Sequence, residues 1–432
     1  MALSRRFTKF TRRQLLAAAA GVLSACRREP DAAVSPAVDP AKEWLLSPGS
    51  AAPDWSLLDP FQESITRADF ERGMLEVLSN GALWQQVEVL DTEARIRMST
   101  PQLNGPRYTL RFAAPGRPAT RGTRYWRTLG ELPPLSDSTK PLSDLHIVLD
   151  PGHIGGAWAQ MEERWFQPPN APAVKEGELS LRAARALAPM LEALGARVSH
   201  TRTRPEPATG IRPGQLLAEA RESLLQDRKP ADEEEIRREA ERLFYRAHEI
   251  RGRGTLVNET LRPDLVICLH FNADGSWGRP ENPILSPRNH LHILAHGCIG
   301  PDEAMLDDQR LEGLLRLVQH TPDTELPLCS AVAKRMREST GLPPYHYFGG
   351  NARLVPGETY VWTRNLLANR IYRCPVIFCE PYVMNNEETI ARFTAGDYEG
   401  LADVAGVVRP SIFREYASGV AKGLRDYFSA RI

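Results

Sequence analysis

The chain has 432 residues, 42% hydrophobic and 25% charged, an ordinary globular composition that at this length suggests about three domains. Lys+Arg and Asp+Glu both number 54, so no net field draws the chain to nucleic acid or to an anionic membrane. Runs of about 18 apolar residues are absent, which excludes a helix spanning a bilayer.

Arg12-Arg13 precede an apolar run from Leu15 to Ala25, too short to cross a membrane and like the h-region of a secretory signal. Thr11-Arg12-Arg13-Gln14-Leu15-Leu16 resembles a twin-arginine export signal. Leu23-Ser24-Ala25-Cys26 resembles a lipobox, in which Cys26 is lipidated and becomes the mature N-terminus. A Sec-type signal cut nearby, or a basic amphipathic start, is the alternative. Residues 1–26 are thus expected to be an export signal. Residues 27–53, rich in Ala, Pro and Asp, are expected to be a flexible tether. The expected location is the periplasm, with a membrane anchor through the lipid on Cys26.

Residues 54–135 read as a small α+β module with no catalytic cluster. Thr66 to Ser79 has helical spacing, with Thr66 and Asp69 placed as a capping pair. Gln86–Val89, Ala94–Met98 and Tyr108–Phe112 alternate as half-buried antiparallel strands. A Pro-rich linker near Leu132 to Pro141 follows. From 143 to 432 strands and helices alternate. Apolar runs at 146–150, 197–201, 265–269, 292–295 and 375–379 read as strands. Helices are expected at 179–194, 215–248 (broken at Arg228-Lys229-Pro230), 311–319, 330–339 and 412–428. Buried strands alternating with helices define an α/β class, a mostly parallel twisted sheet with helices on both faces. Six cysteines are too few for a disulfide framework in a chain this long. A single bridge among Cys298, Cys329 and Cys374 stays open.

Three of those strands end in a residue able to bind metal or move protons: His153 just past Asp150, His270 after Leu269, and Glu380 after Cys379. Parallel strands bring such ends to one sheet edge, where ligands and catalysis gather in open α/β folds. Glu176 stands where the turn after His153 enters the next helix. Two histidines and a carboxylate are a known catalytic zinc set, and a further carboxylate supplies general base chemistry. Each residue alone has a bland reading: a helix-dipole glutamate, a packed core histidine, a strand-end ion pair. The four together are hard to obtain by coincidence.

The stretches Val148-Leu149-Asp150-Pro151-Gly152-His153-Ile154-Gly155-Gly156, Glu176-Gly177-Glu178-Leu179, Ile267-Cys268-Leu269-His270-Phe271-Asn272 and Val376-Ile377-Phe378-Cys379-Glu380 occur in this order. With them the chain from about 143 to 430 resembles the zinc-dependent N-acetylmuramoyl-L-alanine amidases of the Amidase_3 type. The resemblance implies that His153, Glu176 and His270 bind Zn2+ and that Glu380 is catalytic. It also implies a peptidoglycan substrate, cut at the amide between N-acetylmuramic acid and L-alanine. The chain departs from the family at Ile154, at Cys268, and in a longer turn carrying Trp158, Trp165 and Phe166.

Rival readings are a zinc peptidase acting within the stem peptide and a non-catalytic wall-binding lipoprotein. His290 and His292 share one strand face, with His296 nearby; a second metal site competes there with a solvated or packed edge strand. Arg364 and Asn365 are placed to meet a substrate carboxylate or glycan, or simply to line a helix surface. Gly300 to Leu328, with Glu303, Asp307 and Asp308 before an amphipathic Leu311-Leu314-Leu315-Val318 segment, reads in two ways. One is a surface helix with a solvated acidic approach. The other, suggested by some members of the resembled family, is a lid over the metal that an activator protein would remove.

Overall fold

The computed structural model of the protein describes residues 43–116, 122–275 and 278–431. The signal and lipobox read at 1–26 lie outside the described residues, as does most of the tether. No helix among the described residues is long and apolar enough to cross a membrane.

Thr66 caps helix α1 (Arg67–Gly73), its Oγ1 accepting from the Asp69 backbone N–H at 3.1 Å. The helical path continues through a π-turn at Met74–Leu78, so the expected helix is present with a change of winding. Strands β1 (Val87–Val89), β2 (Glu93–Arg97) and β3 (Arg107–Arg111) pair antiparallel in that order. The apolar side of this region does not close on itself. Leu58, Phe70, Met74 and Leu110 share one buried cluster with Leu311, Leu314 and Leu317 from far later in the chain. The last part of the expected tether is anchored rather than free: Leu45 N–H donates to Asp307 Oδ2 at 2.8 Å and Ser47 N–H to Asp308 Oδ1 at 2.9 Å.

The five expected apolar runs, joined by two further short strands, build one seven-stranded sheet. Its members are β4 (His146–Pro151), β5 (Arg197–His200), β6 (Leu265–Leu269), β7 (Leu291–His296), β8 (Ala352–Leu354), β9 (Val361–Arg364) and β10 (Val376–Pro381). Their spatial order is β8-β9-β7-β10-β6-β4-β5. β5, β4, β6 and β10 are mutually parallel, while β7 runs antiparallel to β10 and parallel to β9. The period of two in each strand divides its side chains between two cores. Ile147, Leu149, Ile267 and Ile377 face helices α2 (Glu176–Ala193), α4 (Thr321–Thr340) and α5 (Ile412–Phe428) through Leu187, Val332 and Val420. Val148, Val266, Cys268 and Phe378 face Val257, Ile371 and Tyr372 on the other side. Full burial of each large apolar side chain stabilises by about 1.5–3 kcal/mol, which is why both faces must be covered.

Helix α3 (Asp307–Val318) corrects both readings of the 300–328 stretch, because almost every residue in it is buried. Asp307 accepts from Leu45 and Thr100 N–H and pairs with Arg310 at 2.7 Å; Asp308 meets Ser47 N–H and Arg251. Asp307 and Asp308 therefore tie down the N-terminal segment and neither approach solvent nor line the cavity at His153. Helix α4 starts at Thr321, earlier than the expected Ser330, with Glu325 buried against Arg316. β7 is likewise a central buried strand and not an edge. The five described cysteines are all free and buried, so the open disulfide is not formed.

Candidate metal centre

β4 ends at Pro151, and the chain turns through Gly152 into His153, whose φ of 58° lies in the left-handed region. Such a conformation persists in a non-glycine residue only when its surroundings hold it. Two buried arginines do so from beneath. Arg202 donates to the carbonyls of Pro151, Gly152 and Gly177 at 3.0, 2.8 and 2.8 Å, and Arg253 to those of Pro151 and His153, both at 2.9 Å. Arg253 is itself paired with buried Asp150 and Glu249, each at 3.1 Å. Asp150 also accepts from Thr201 Oγ1 at 2.6 Å and Tyr372 OH at 2.7 Å. The ion pair with Arg253 and these hydrogen bonds hold the Asp150 carboxyl low against the penalty of its burial.

Glu176 opens α2 but does not serve merely as a helix-dipole residue. Its carboxylate is buried and turned inward, with Oε2 3.2 Å from His153 Nε2 and Oε1 3.3 Å from His270 Nδ1. Gly177 makes this entry possible: a Cβ there would stand 2.4 Å from the backbone of Ile154. The ligand atoms of His153, Glu176 and His270 all lie within 4.8 Å of one another. This donor set fits zinc. Bonds of about 2.0–2.2 Å in tetrahedral array put neighbouring ligand atoms about 3.3–3.6 Å apart, close to the two contacts seen. Burial pushes the His153 imidazole down, but Glu176 and Glu162 outweigh it and hold the pKa up at about 9. Burial likewise opposes ionisation of Glu176, and the two histidines reverse this and keep its carboxyl well below the usual range.

The outer face of His153 is occupied by a residue that sequence reasoning missed. Glu162 Oε1 lies 2.7 Å from His153 Nδ1, and its Oε2 accepts from Ile154 N–H at 2.7 Å. A carboxylate on the far ring nitrogen fixes the tautomer of a metal-binding histidine and leaves Nε2 for the metal. Glu162 comes from the long turn that departs from the resembled family. There Trp158 packs against Phe244, and Trp165-Phe166 pair antiparallel with Val174-Lys175. The only signal in the sequence was an acidic pair soon after His153, and no spacing rule selects it.

Glu380 lies at the end of β10 in the same cavity, about 370 Å³, which His153, Glu162, His270 and Arg364 also line. His292 sits directly beside it in the antiparallel β7–β10 register, its Nε2 3.2 Å from Glu380 Oε2. Burial works against ionisation of Glu380, and the contact with His292 more than offsets it, so the carboxyl is held below its ordinary range. His290 instead rests on Tyr345, with ring centroids 4.5 Å apart. Among the described residues the only metal-type cluster is His153, Glu176 and His270. Arg364 reaches the cavity and donates to Tyr347 OH at 3.2 Å, whereas Asn365 is spent on Gln309 and Arg370.

No protein-family model and no curated protein matches the chain. Among solved structures, it is similar to the N-acetylmuramyl-L-alanine amidase Ami1 from Mycobacterium smegmatis, at 14% identity and a TM-score of 0.36, over 66% of this chain and 98% of that one. A second is the CwlD amidase from Clostridioides difficile in complex with the GerS lipoprotein, at 12% identity and a TM-score of 0.37, over 66% and 99%. The amidase AmiC2 of Nostoc punctiforme aligns at 15% identity and a TM-score of 0.32, over 66% and 96%.

Proposed function

We propose that the chain is a zinc-dependent hydrolase that cuts the amide between N-acetylmuramic acid and L-alanine in peptidoglycan. The observation that carries this reading is the convergence of His153, Glu176 and His270, with His153 and His270 lining one cavity together with Glu380. When bound to those three residues, zinc supplies positive charge that polarises an amide carbonyl and acidifies water. Glu380 takes a proton from the attacking water and returns it to the departing amine nitrogen, which must be protonated to leave. The depressed pKa of Glu380 keeps it ionised and ready for the first transfer. Glu162 and the arginines beneath the turn hold the ligands at fixed spacing, so little reorganisation accompanies the reaction. Export through residues 1–26 and a lipid on Cys26 would place this activity in the periplasm, where the substrate lies. The bond cut decides among the readings.

Digestion of purified peptidoglycan with and without zinc should leave glycan bearing lactyl groups free of peptide, and stem peptides with a new alanine amino terminus. Cleavage inside the stem would make the protein a peptidase instead, and no cleavage would make it a binding protein. Glu380→Gln should keep the metal and lose about 10²–10⁴-fold in turnover.

A further inference from the structure

His292 is fully buried, yet both of its ring nitrogens face polar groups. On one side Asn272 Nδ2 lies 3.4 Å from Nδ1. The orientation of that amide is set independently, because Asn272 Oδ1 accepts from the Ala273 backbone N–H at 2.7 Å. An NH2 group can only donate. His292 Nδ1 must therefore accept, and the ring proton sits on Nε2. That nitrogen lies 3.0 Å from Tyr347 OH and 3.2 Å from Glu380 Oε2, and with the proton on Nε2 both oxygens are placed to accept from it. The tyrosine oxygen is held by Arg364, whose guanidinium also lies 5.3 Å from the ring centroid of Tyr347. Tyr345 packs along the imidazole at 4.9 Å and closes the site to rotation.

We infer that His292 is a positioning residue for Glu380, locked by Asn272 as the neutral Nε2–H tautomer, with that N–H shared between the Glu380 carboxylate and Tyr347 OH. The inference rests on the reading of Glu380 as the group that carries the substrate's proton. It also divides the labour within the pair. An imidazolium would turn an Nδ1–H toward the Asn272 NH2, donor against donor, so His292 cannot readily take the proton that Glu380 collects. It aims the carboxylate, and the proton stays with Glu380 until the leaving nitrogen receives it.

Protein labelled with 15N-histidine tests the hydrogen-bond arrangement without any turnover. The His292 ring should show a protonated Nε2 and a bare Nδ1. An Nδ1–H tautomer overturns the inference. Kinetics then test its purpose. His292→Leu, close in volume but without a donor, should keep its metal and its KM while kcat falls about 10–10²-fold, as for a misaimed catalytic group. His292→Gln can place an amide N–H near the lost Nε2–H and should recover most of that loss. Equal losses in the two variants would overturn the positioning role. If His292→Leu does not fold, the ring spectrum of the parent and the glutamine variant still decide. An inert parent enzyme, or a fully active Glu380→Gln, would instead sink the functional reading, while the spectrum continues to judge the tautomer.

Discussion

Gly152→Ala is expected to disable the metal centre although it adds one methyl group. The backbone of Gly152 is not in the left-handed region, so alanine meets no conformational barrier. The barrier is His270. A Cβ on residue 152 would stand 2.2 Å from His270 Cε1 and 2.3 Å from Nε2. Against an ordinary contact of 3.4 Å the ring must give way by about 1.2 Å. Its retreat is restricted on two sides, since it is stacked on Phe378 at 4.3 Å with only 16° between the planes, and His153 stands edge-on at 4.9 Å; movement into the cavity would carry it away from its place beside Glu176. Metal sites tolerate ligand displacements of about 0.2 Å, so a shift several times larger should lower zinc occupancy. A misplacement of about 1 Å costs about 10²-fold in rate, and overpacking of this kind costs about 1–3 kcal/mol of stability. Metal content, thermal unfolding and peptidoglycan release, measured on the same preparation, check all three. Gly214→Ala, whose Cβ would meet nothing within 4 Å, is the control. A Gly152→Ala protein with one zinc per chain and parental activity would refute the argument.

Zinc affinity should rise between about pH 7 and pH 9, because the metal needs the His153 proton to leave and its pKa is held up at about 9. The sign for the metal-free protein is opposite: a raised histidine pKa contributes stability in full below about 6.5 and loses it as pH climbs through about 9. Melting curves with and without zinc should therefore diverge as pH increases, and parallel curves would contradict the coupling. Arg253→Leu leaves Asp150 and Glu249 buried without their cation and should cost about 3–5 kcal/mol, read by denaturant titration. Deletion of residues 300–328 should yield insoluble protein, since it removes the buried helix α3; a soluble and faster enzyme would restore the lid reading.

The parallel half of the sheet was legible because β4, β6 and β10 contain the apolar runs 147–149, 265–269 and 376–379, with His153, His270 and Glu380 at or just past their ends, where a polar residue has little reason to sit unless the edge has a use. The same alternation brought His153, Glu176 and His270 onto one edge. The reversal of β7 was not legible, since a buried run looks alike in either direction, and with it went the contact of His292 with Glu380. Helix α3 was misread for a related reason. Asp307, Asp308, Arg310 and Arg316 look like a solvated face by composition, yet each has a buried partner in distant parts of the chain: Thr100, Ser47, Thr100 and Tyr372 in turn. Periodicity marks the apolar stripe of a helix but cannot tell whether its charges meet water or one another.

The shared cluster of the N-terminal region with α3 also sets the order in which the chain can mature. Leu58, Phe70, Met74 and Leu110 leave the ribosome at least about 200 residues before Leu311, Leu314 and Leu317. At about 5–20 residues per second that is a delay of about 10–40 s. During that interval the earliest-made part of the protein carries an uncovered apolar face. A nascent or truncated chain ending before α3 is therefore a ready client for chaperones and proteases.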